Sequence, residues 1–524
     1  MFFVAGLLFI PRAGIQTDEA LFSAPLYEPA YTYGAVEIFG HKIPLLLMNY
    51  LGALKTWIYW LVFKMFEPTV WSTRVPMLLA ATATLWLFWG LARRLAGERA
   101  ALIGAALLAT DATFLLTAVC DWGPVALQHL FLVSALVLAL RFHDTGSPLA
   151  LSTAFLVLGL AVWDKALFLW LLGGLGIAVL VVLPRELRRA SSWKNLLLAG
   201  AAFCLGAAPL LYYNVRSRGE TVRENAVLTW TEMPKKAASL QSALSGSSLF
   251  GYLVGEASDE PPRRVTSALG RLSVSVSELA GEPRSSLQPH LILLALLLVP
   301  PLWRTRARRS ALFCLVFLVV AWLQMALTAR AGGSAHHVVL LWPMPHLLAA
   351  VVFAELSRKL RAAGLVAAVT LTGLAAGSNL LLLNQNYSQL LRFGASAVWS
   401  DAIPTLAARL EKLGADHIFI MDWGLMDNVR MLTAGRLPIH VGSDAVTSDS
   451  PAEAERSLFR RMVEMPNSVF VSFTDRWEQT PGLNRRIAAR AADIGFRVGP
   501  VELVHDRNGR PIFQVIRIIQ SPTI

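Results

Sequence analysis

Long apolar blocks alternate along the chain with short basic connections. Apolar runs lie near 2–10, 74–92, 100–119, 123–140, 149–163, 166–183, 195–215, 289–303, 310–328, 338–356 and 363–383. A helix needs about twenty apolar residues to cross the hydrocarbon, and fewer where the bilayer thins. The runs therefore predict eleven spans, the first of them short as written. A late start, or a longer helix truncated at Met1, would account for that; no basic segment or small-residue cleavage site marks a signal peptide. The basic connections carry Arg93, Arg94 and Arg99; Arg141; Arg185, Arg188, Arg189 and Lys194; Arg304, Arg306, Arg308 and Arg309; and Arg358, Lys359 and Arg361. Eleven spans with a cytoplasmic N-terminus put every one of these clusters on the inner face, as the positive-inside rule requires.

Residues 44–66 are apolar enough to span but carry Lys55 and Lys64. A span there would reverse the charge bias of all five later clusters. They are therefore expected to form an amphipathic helix in the outer interface, with snorkelling lysines. The outer loops are then 11–73 and 216–288, the second rich in Ser, Gly and Pro. From about 385 the apolar blocks stop. HIFIMDWG, LPIHVG, SVFVSF, VGPVELVHD and PIFQVIRII have strand character, and MDNVRMLTAG, PAEAERSLFRRMVEM and NRRIAARAADIGF helical character. This alternation predicts a small α/β domain with a mostly parallel sheet. The expected fold is a polytopic α-helical membrane domain, 1–384, followed by an extracytoplasmic α/β domain, 385–524. No Gly-rich phosphate loop and no internal repeat is present.

Composition strengthens this picture. Hydrophobic residues make up 55% and charged residues 16%, with a mean hydropathy of +0.52, whereas a soluble chain averages about 25% charged residues. The net charge of +12 follows from the basic connections, so it implies anionic lipid at the inner leaflet rather than nucleic acid. Cys120, Cys204 and Cys314 have neither metal-ligand spacing nor a disulfide pattern and are expected to be buried thiols.

Polar groups beside an apolar wall are costly and mark function. The outer loops offer Asp18-Glu19, Gly40-His41-Lys42-Ile43-Pro44, Asp121-Trp122-Gly123-Pro124, Trp163-Asp164-Lys165, and Arg330 followed by His336-His337. Each has a plainer explanation. Acids favour a helix start, and Asp111 suits a cap of the helix that follows it. Asp164-Lys165 could be an exposed pair, and adjacent histidines without a third ligand rarely hold a metal. Asp401, Asp422 and Asp427 suit caps and turns. Together, however, the acids, lysines and imidazoles gather on one face, which points to one outward-facing site.

The order of these groups resembles the C-type membrane glycosyltransferases, and most closely the family of protein O-mannosyltransferases and the lipid A aminoarabinose transferase. The resemblance rests on Asp18-Glu19 opening the first outer loop, Lys42 and Pro44 before a juxtamembrane helix, and Arg74 and Pro76 leading into the next span. Asp121 before the fourth span and Lys165 after the fifth complete it. It covers about residues 1–210 well and the later spans loosely. It implies inverting transfer of a sugar from a polyprenyl-phosphate donor to an acceptor hydroxyl on a lipid, glycan or protein, at the plasma membrane and with no cofactor required. A divalent cation is not indicated. In that reaction Asp18 would be the general base. Lys42 and Lys165, with Arg330, His336 and His337, would hold the donor phosphate, while Glu19 and Asp121 would orient the acceptor or the loop. The chain departs from the family at Leu21, where the lipid A transferases have Arg. It departs again at His336-His337 and Pro343-x-Pro345, which replace an Arg-Tyr-x-x-Pro element, and in the length of 216–288. A lipid-phosphate carrier or flippase, or a non-catalytic envelope assembly protein, is the alternative.

Overall fold

The computed structural model describes residues 1–28, 32–38, 41–255, 262–329 and 331–521. Each predicted apolar run is helical. Val70–Ala96, Val125–Thr145, Arg308–Leu327, Ala335–Lys359 and Arg361–Arg392 are long and apolar enough to cross a membrane. Three further apolar pairs bend at a break: Glu98–Thr110 with Ala112–Val119 by 58°, Ala166–Val182 with Pro184–Ala190 by 103°, and Trp193–Gly206 with Ala208–Arg216 by 74°. Phe2–Arg12, Pro148–Asp164 and Gln288–Leu297 are shorter apolar helices. By length and composition, five to eight of these described segments qualify as spans. The breaks have local causes. Asp111 caps the second piece of the first pair, accepting the Phe114 N–H at 2.8 Å. Pro184 and Pro209 open new helices because they donate no N–H.

At one end of the bundle the basic connections are tied to one another. Arg99 donates to Ser357 at 3.1 Å and Arg358 to the Ala96 carbonyl at 3.0 Å. Arg94 pairs with Asp144, and Arg309 with Glu186 at 2.8 Å.

Residues 44–66 depart from the expected single helix. Only Leu54–Met65 is helical. The stretch before it belongs to a three-stranded antiparallel sheet of β1 (Gly34–Ile38), β2 (His41–Met48) and β3 (Leu51–Gly52). The extended form wins because its carbonyls find partners outside it: Trp163 Nε1 donates to Leu45 O of β2 at 2.8 Å, and the Ala166 N–H to the O of Tyr50, in the turn before β3, at 2.9 Å. Helix Leu54–Met65 leaves Trp60, Leu61 and Met65 exposed, with Lys64 Nζ 3.7 Å from the Trp60 ring centroid. Lys55 does not snorkel; it is wholly buried.

The last apolar helix runs to Arg392, beyond the point at which the apolar pattern ends. The sheet that follows contains β4 (His417–Ile420), β5 (Ile439–Val441), β6 (Ser468–Phe473), β7 (Phe496–His505) and β8 (Pro511–Gln520), in the order β5-β4-β6-β8-β7. β4 runs parallel to β5 and β6, but β8 runs antiparallel to both β6 and β7. The sheet is therefore mixed rather than mostly parallel. The connection 506–510 is too short for a crossover, so β7 and β8 must form a hairpin. Strand alternation divides the core: Ile418 and Val469 pack with Leu406 and Leu410 of helix Ile403–Leu413, while Phe419 and Phe470 pack with Phe459 and Ile487 on the other side.

Candidate active site

Opposite the basic end, the acids and cations of the loops converge. Gln16, Asp18 and Glu19 shape a four-residue helix, Thr17–Ala20. The Gln16 side chain accepts the Asp18 N–H at 2.6 Å, and Glu19 reaches back to the Gln16 N–H at 3.3 Å. Glu19 is fully committed. Arg74 donates to its two oxygens at 2.8 and 2.7 Å, and also to the carbonyls of Ile10, Ala13 and Gly14 at 2.6–2.8 Å. Both side chains are buried. Arg74 thus folds residues 10–19 into a rigid turn, the bidentate fork doing what a lysine could not.

A second buried pair lies alongside. Lys55 Nζ is 2.8 Å from Asp121 Oδ2 and donates to the Asp121 carbonyl at 3.1 Å, while Asp121 Oδ1 accepts the Ala126 N–H at 3.0 Å. Lys55 is the residue that sequence reasoning misplaced. Nothing within its own segment distinguishes a paired lysine from a snorkelling one, because the carboxylate that pairs with it comes from a distant loop.

Asp18 and Lys165 are not paired in this way. Among the described residues, neither the Asp18 carboxylate nor the Lys165 ammonium is held by an ion pair. Lys165 is buried beside Gly123, where a Cβ would come within 3.4 Å of its Nζ and 3.9 Å of His336. Of the charges around Asp18, Lys165 acts on it most strongly, ahead of Lys55. Burial pushes the Asp18 carboxyl above the usual range, with Lys165 opposing. Burial likewise pulls the Lys165 ammonium down to about 8, against the pull of Asp164 and Asp18. The His336 and His337 rings meet next to Lys165 with centroids 4.2 Å apart and planes tilted by 53°, and His337 Nδ1 accepts the Gly332 N–H at 3.2 Å. Lys236, on helix Met233–Ser245 of the 216–288 segment, donates to the carbonyls of Met325, Ala326 and Thr328, and Ser239 to Gly333 at 2.9 Å. The histidine turn is thereby fixed from the long loop.

Two candidates are not gathered. Lys42 is exposed on β2, opposite Glu37 in register, and its side chain makes no ion pair or hydrogen bond with another described residue. Arg330 lies outside the described residues. Among those residues, no group of three His, Cys, Asp or Glu side chains could hold a metal ion. Asp111 is a cap, as expected, and also accepts from Trp342 Nε1 at 2.8 Å and contacts His346 and Gln288 within the apolar helices.

The C-terminal domain reaches the same place. Thr17 Oγ1 donates to Asp427 Oδ2 at 3.4 Å and Asn428 Nδ2 to the Ile15 carbonyl at 3.2 Å, both from helix Met426–Leu432. The Gly14 N–H bonds Trp399 O at 2.7 Å, and a Cβ at Gly14 would collide with the Ser400 carbonyl. Sequence alone gave Asp427 only a capping role.

Residues 52–213 match the family described as dolichyl-phosphate-mannose-protein mannosyltransferase. Over 98% of its length the chain matches 96% of the crystal structure of ArnT from Cupriavidus metallidurans bound to undecaprenyl phosphate, at 13% identity and a TM-score of 0.55. The apo form of the same protein matches over 98% and 97%, at 14% identity and a TM-score of 0.54. The chain has the C-type glycosyltransferase fold. No curated protein matches it by sequence. Within this C-type fold, the family match contains Lys55, Arg74, Asp121 and Lys165, but neither Asp18 nor the two histidines.

Proposed function

We propose that this protein is an integral membrane glycosyltransferase that moves a sugar from a polyprenyl-phosphate donor to an acceptor hydroxyl, with inversion, on the extracytoplasmic face. The observation that carries the reading is the Lys165 ammonium, buried without an ion pair near an Asp18 carboxylate that is itself in no ion pair among the described residues. A buried cation without a counter-ion is costly, and a ligand phosphate would relieve that cost. The undecaprenyl phosphate bound to the similarly folded ArnT supports a ligand of this kind.

In the proposed reaction Asp18 accepts the proton of the acceptor hydroxyl as its oxygen attacks the anomeric carbon. The bond from that carbon to the phosphate oxygen breaks, and the phosphate leaves on the lipid. Lys165, with His336 and His337 beside it and Arg330 in the same loop, holds the charge that builds there. Glu19 acts by fixing the turn that carries Asp18, and Asp121 by fixing the turn of Gly123, against which Lys165 packs. The apolar helices and the Leu54–Met65 helix offer the lipid tail its groove.

The test uses the protein in lipid, wild type beside Asp18→Asn, with radiolabelled polyprenyl-phosphate sugars and an envelope extract as acceptor. Wild type should release sugar from the lipid, and Asp18→Asn should bind the donor without releasing it. Equal turnover would move the base elsewhere. Donor binding without release by either protein would favour a carrier.

A further inference from the structure

Three aromatic side chains meet next to Asp18 and Lys165, each from a different part of the chain. Trp122 follows Asp121, Tyr252 belongs to the 216–288 segment, and Trp399 lies in the connection to the α/β domain. Ring centroids are 5.2 Å apart for Trp122–Tyr252, 5.4 Å for Trp122–Trp399 and 6.3 Å for Tyr252–Trp399. Trp122 also meets His336 edge-on at 6.4 Å. Both tryptophans are fully buried, and among the described residues neither indole N–H has a hydrogen-bond partner. Tyr252 is different: it is 38% exposed. Its phenol nevertheless feels Asp18, whose charge adds to burial in raising it.

The turn that carries Tyr252 is held from both sides. Gly251 N–H bonds Val254 O at 2.9 Å and Leu253 N–H bonds Leu249 O at 3.1 Å. Ser396 N–H donates to Leu253 O at 3.1 Å, Gly255 N–H to Gly394 O at 3.0 Å, and Ser396 Oγ to the Tyr252 carbonyl. An exposed aromatic ring is thus fixed at the edge of the site, backed by two buried rings. Such fixing is what a binding platform needs and what a surface loop otherwise lacks.

We propose that Tyr252 is the platform on which the donor's sugar ring stacks, with Trp122 and Trp399 behind it, so that the 216–288 segment selects the sugar. The proposal rests on the transferase reading. In an in-line displacement the base and the leaving phosphate lie on opposite sides of the anomeric carbon, so the sugar occupies the space between Asp18 and Lys165. Tyr252 flanks that space, through its proximity to Asp18 on one side and through Trp122 and His336 on the other. A sugar ring presents apolar C–H faces and a polar rim. The electron-rich face of an aromatic ring attracts the first, and the phenol can serve the second.

The test compares binding of bare polyprenyl phosphate with that of polyprenyl-phosphate mannose, glucose and arabinose, by wild type, Tyr252→Ala and Tyr252→Phe in nanodiscs. Wild type should bind at least one sugar-bearing lipid more tightly than the bare lipid. Tyr252→Ala should weaken that lipid by about tenfold while leaving the bare lipid unchanged, which also reports that the variant is folded, and Tyr252→Phe should stay near wild type. A wild type that prefers no sugar-bearing lipid overturns the platform. So does a Tyr252→Ala loss that is equal for bare and sugar-bearing lipid, or absent for both. If wild type binds no polyprenyl phosphate of any kind, the transferase reading falls, and the platform with it.

Discussion

Asp18 and Glu19 are neighbours in a helix of four residues, yet one is locked and the other left uncommitted. The same contrast divides the whole site into two layers. In one, Glu19–Arg74 and Asp121–Lys55 are closed pairs with short, buried contacts. In the other, Asp18 and Lys165 stand close to each other's charge without pairing. Replacing a buried ion pair by apolar groups is often neutral for stability, so such pairs gain little overall. Their use here is positional. Arg74 gathers three backbone carbonyls and Glu19 into one turn, and Lys55 gathers the backbone around Asp121 and Gly123. The backbone so fixed holds the two remaining groups near each other without pairing them, the arrangement on which the proposed reaction depends.

The sharpest way to break this division is to neutralise the neighbour that is left unpaired. Asp18→Asn should lower sugar transfer by about a thousandfold while donor binding changes less than about threefold. Transfer surviving in that variant, measured with radiolabelled donor, would put the base in the other layer. The next largest effect concerns the closed pairs. Lys55→Met leaves Asp121 buried and unpaired and should destabilise the protein by about 3–5 kcal/mol, seen as a lower unfolding midpoint in detergent. Lys55→Met with Asp121→Leu should recover more than half of that loss. A double variant as unstable as the single one would show that the pair does more than fill space.

These layers were unequally legible in the sequence. The helices of the bundle were readable because apolar length is a local property, and the gathering of the site loops followed from where the arginines fall. Asp18, Lys165 and the histidines were found by being polar at the ends of apolar runs. Lys55 was not, since a lysine near tryptophans on an amphipathic helix looks the same whether it snorkels or pairs; the carboxylate that decides it is 66 residues away. The strands at 41–52 were missed for a related reason. Their partners, β1 and the Trp163 loop, are supplied by tertiary contacts, and no period within the segment announces them. The antiparallel edge of the C-terminal sheet follows from the short connection 506–510, which leaves no room for a crossover between β7 and β8.

Smaller effects test the uncommitted layer from within. Transfer efficiency should rise with pH as Asp18 ionises, later than an ordinary carboxyl because burial raises it. It should fall again as Lys165 loses its proton near about 8, by about tenfold per further pH unit. Lys165→Arg keeps its charge throughout, so the alkaline fall should vanish while the acid limb stays. An alkaline fall that persists in Lys165→Arg would belong to another group.

The smallest effect is expected at Lys42, which the resemblance pairs with Lys165 but which the fold leaves exposed on β2. Across water, a single exposed cation contributes about 1 kcal/mol or less and is screened by salt. Lys42→Ala should therefore raise the donor KM by no more than about fivefold, leave kcat unchanged, and lose even that effect at high ionic strength. A fall in kcat insensitive to salt would mean instead that the β1–β2 hairpin closes over the donor and delivers Lys42 to the phosphate. The same kinetics repeated with Lys42→Arg would then separate charge from fit. A hairpin that only needs a cation accepts arginine, whereas one that seats an ammonium between Asp18 and the phosphate does not.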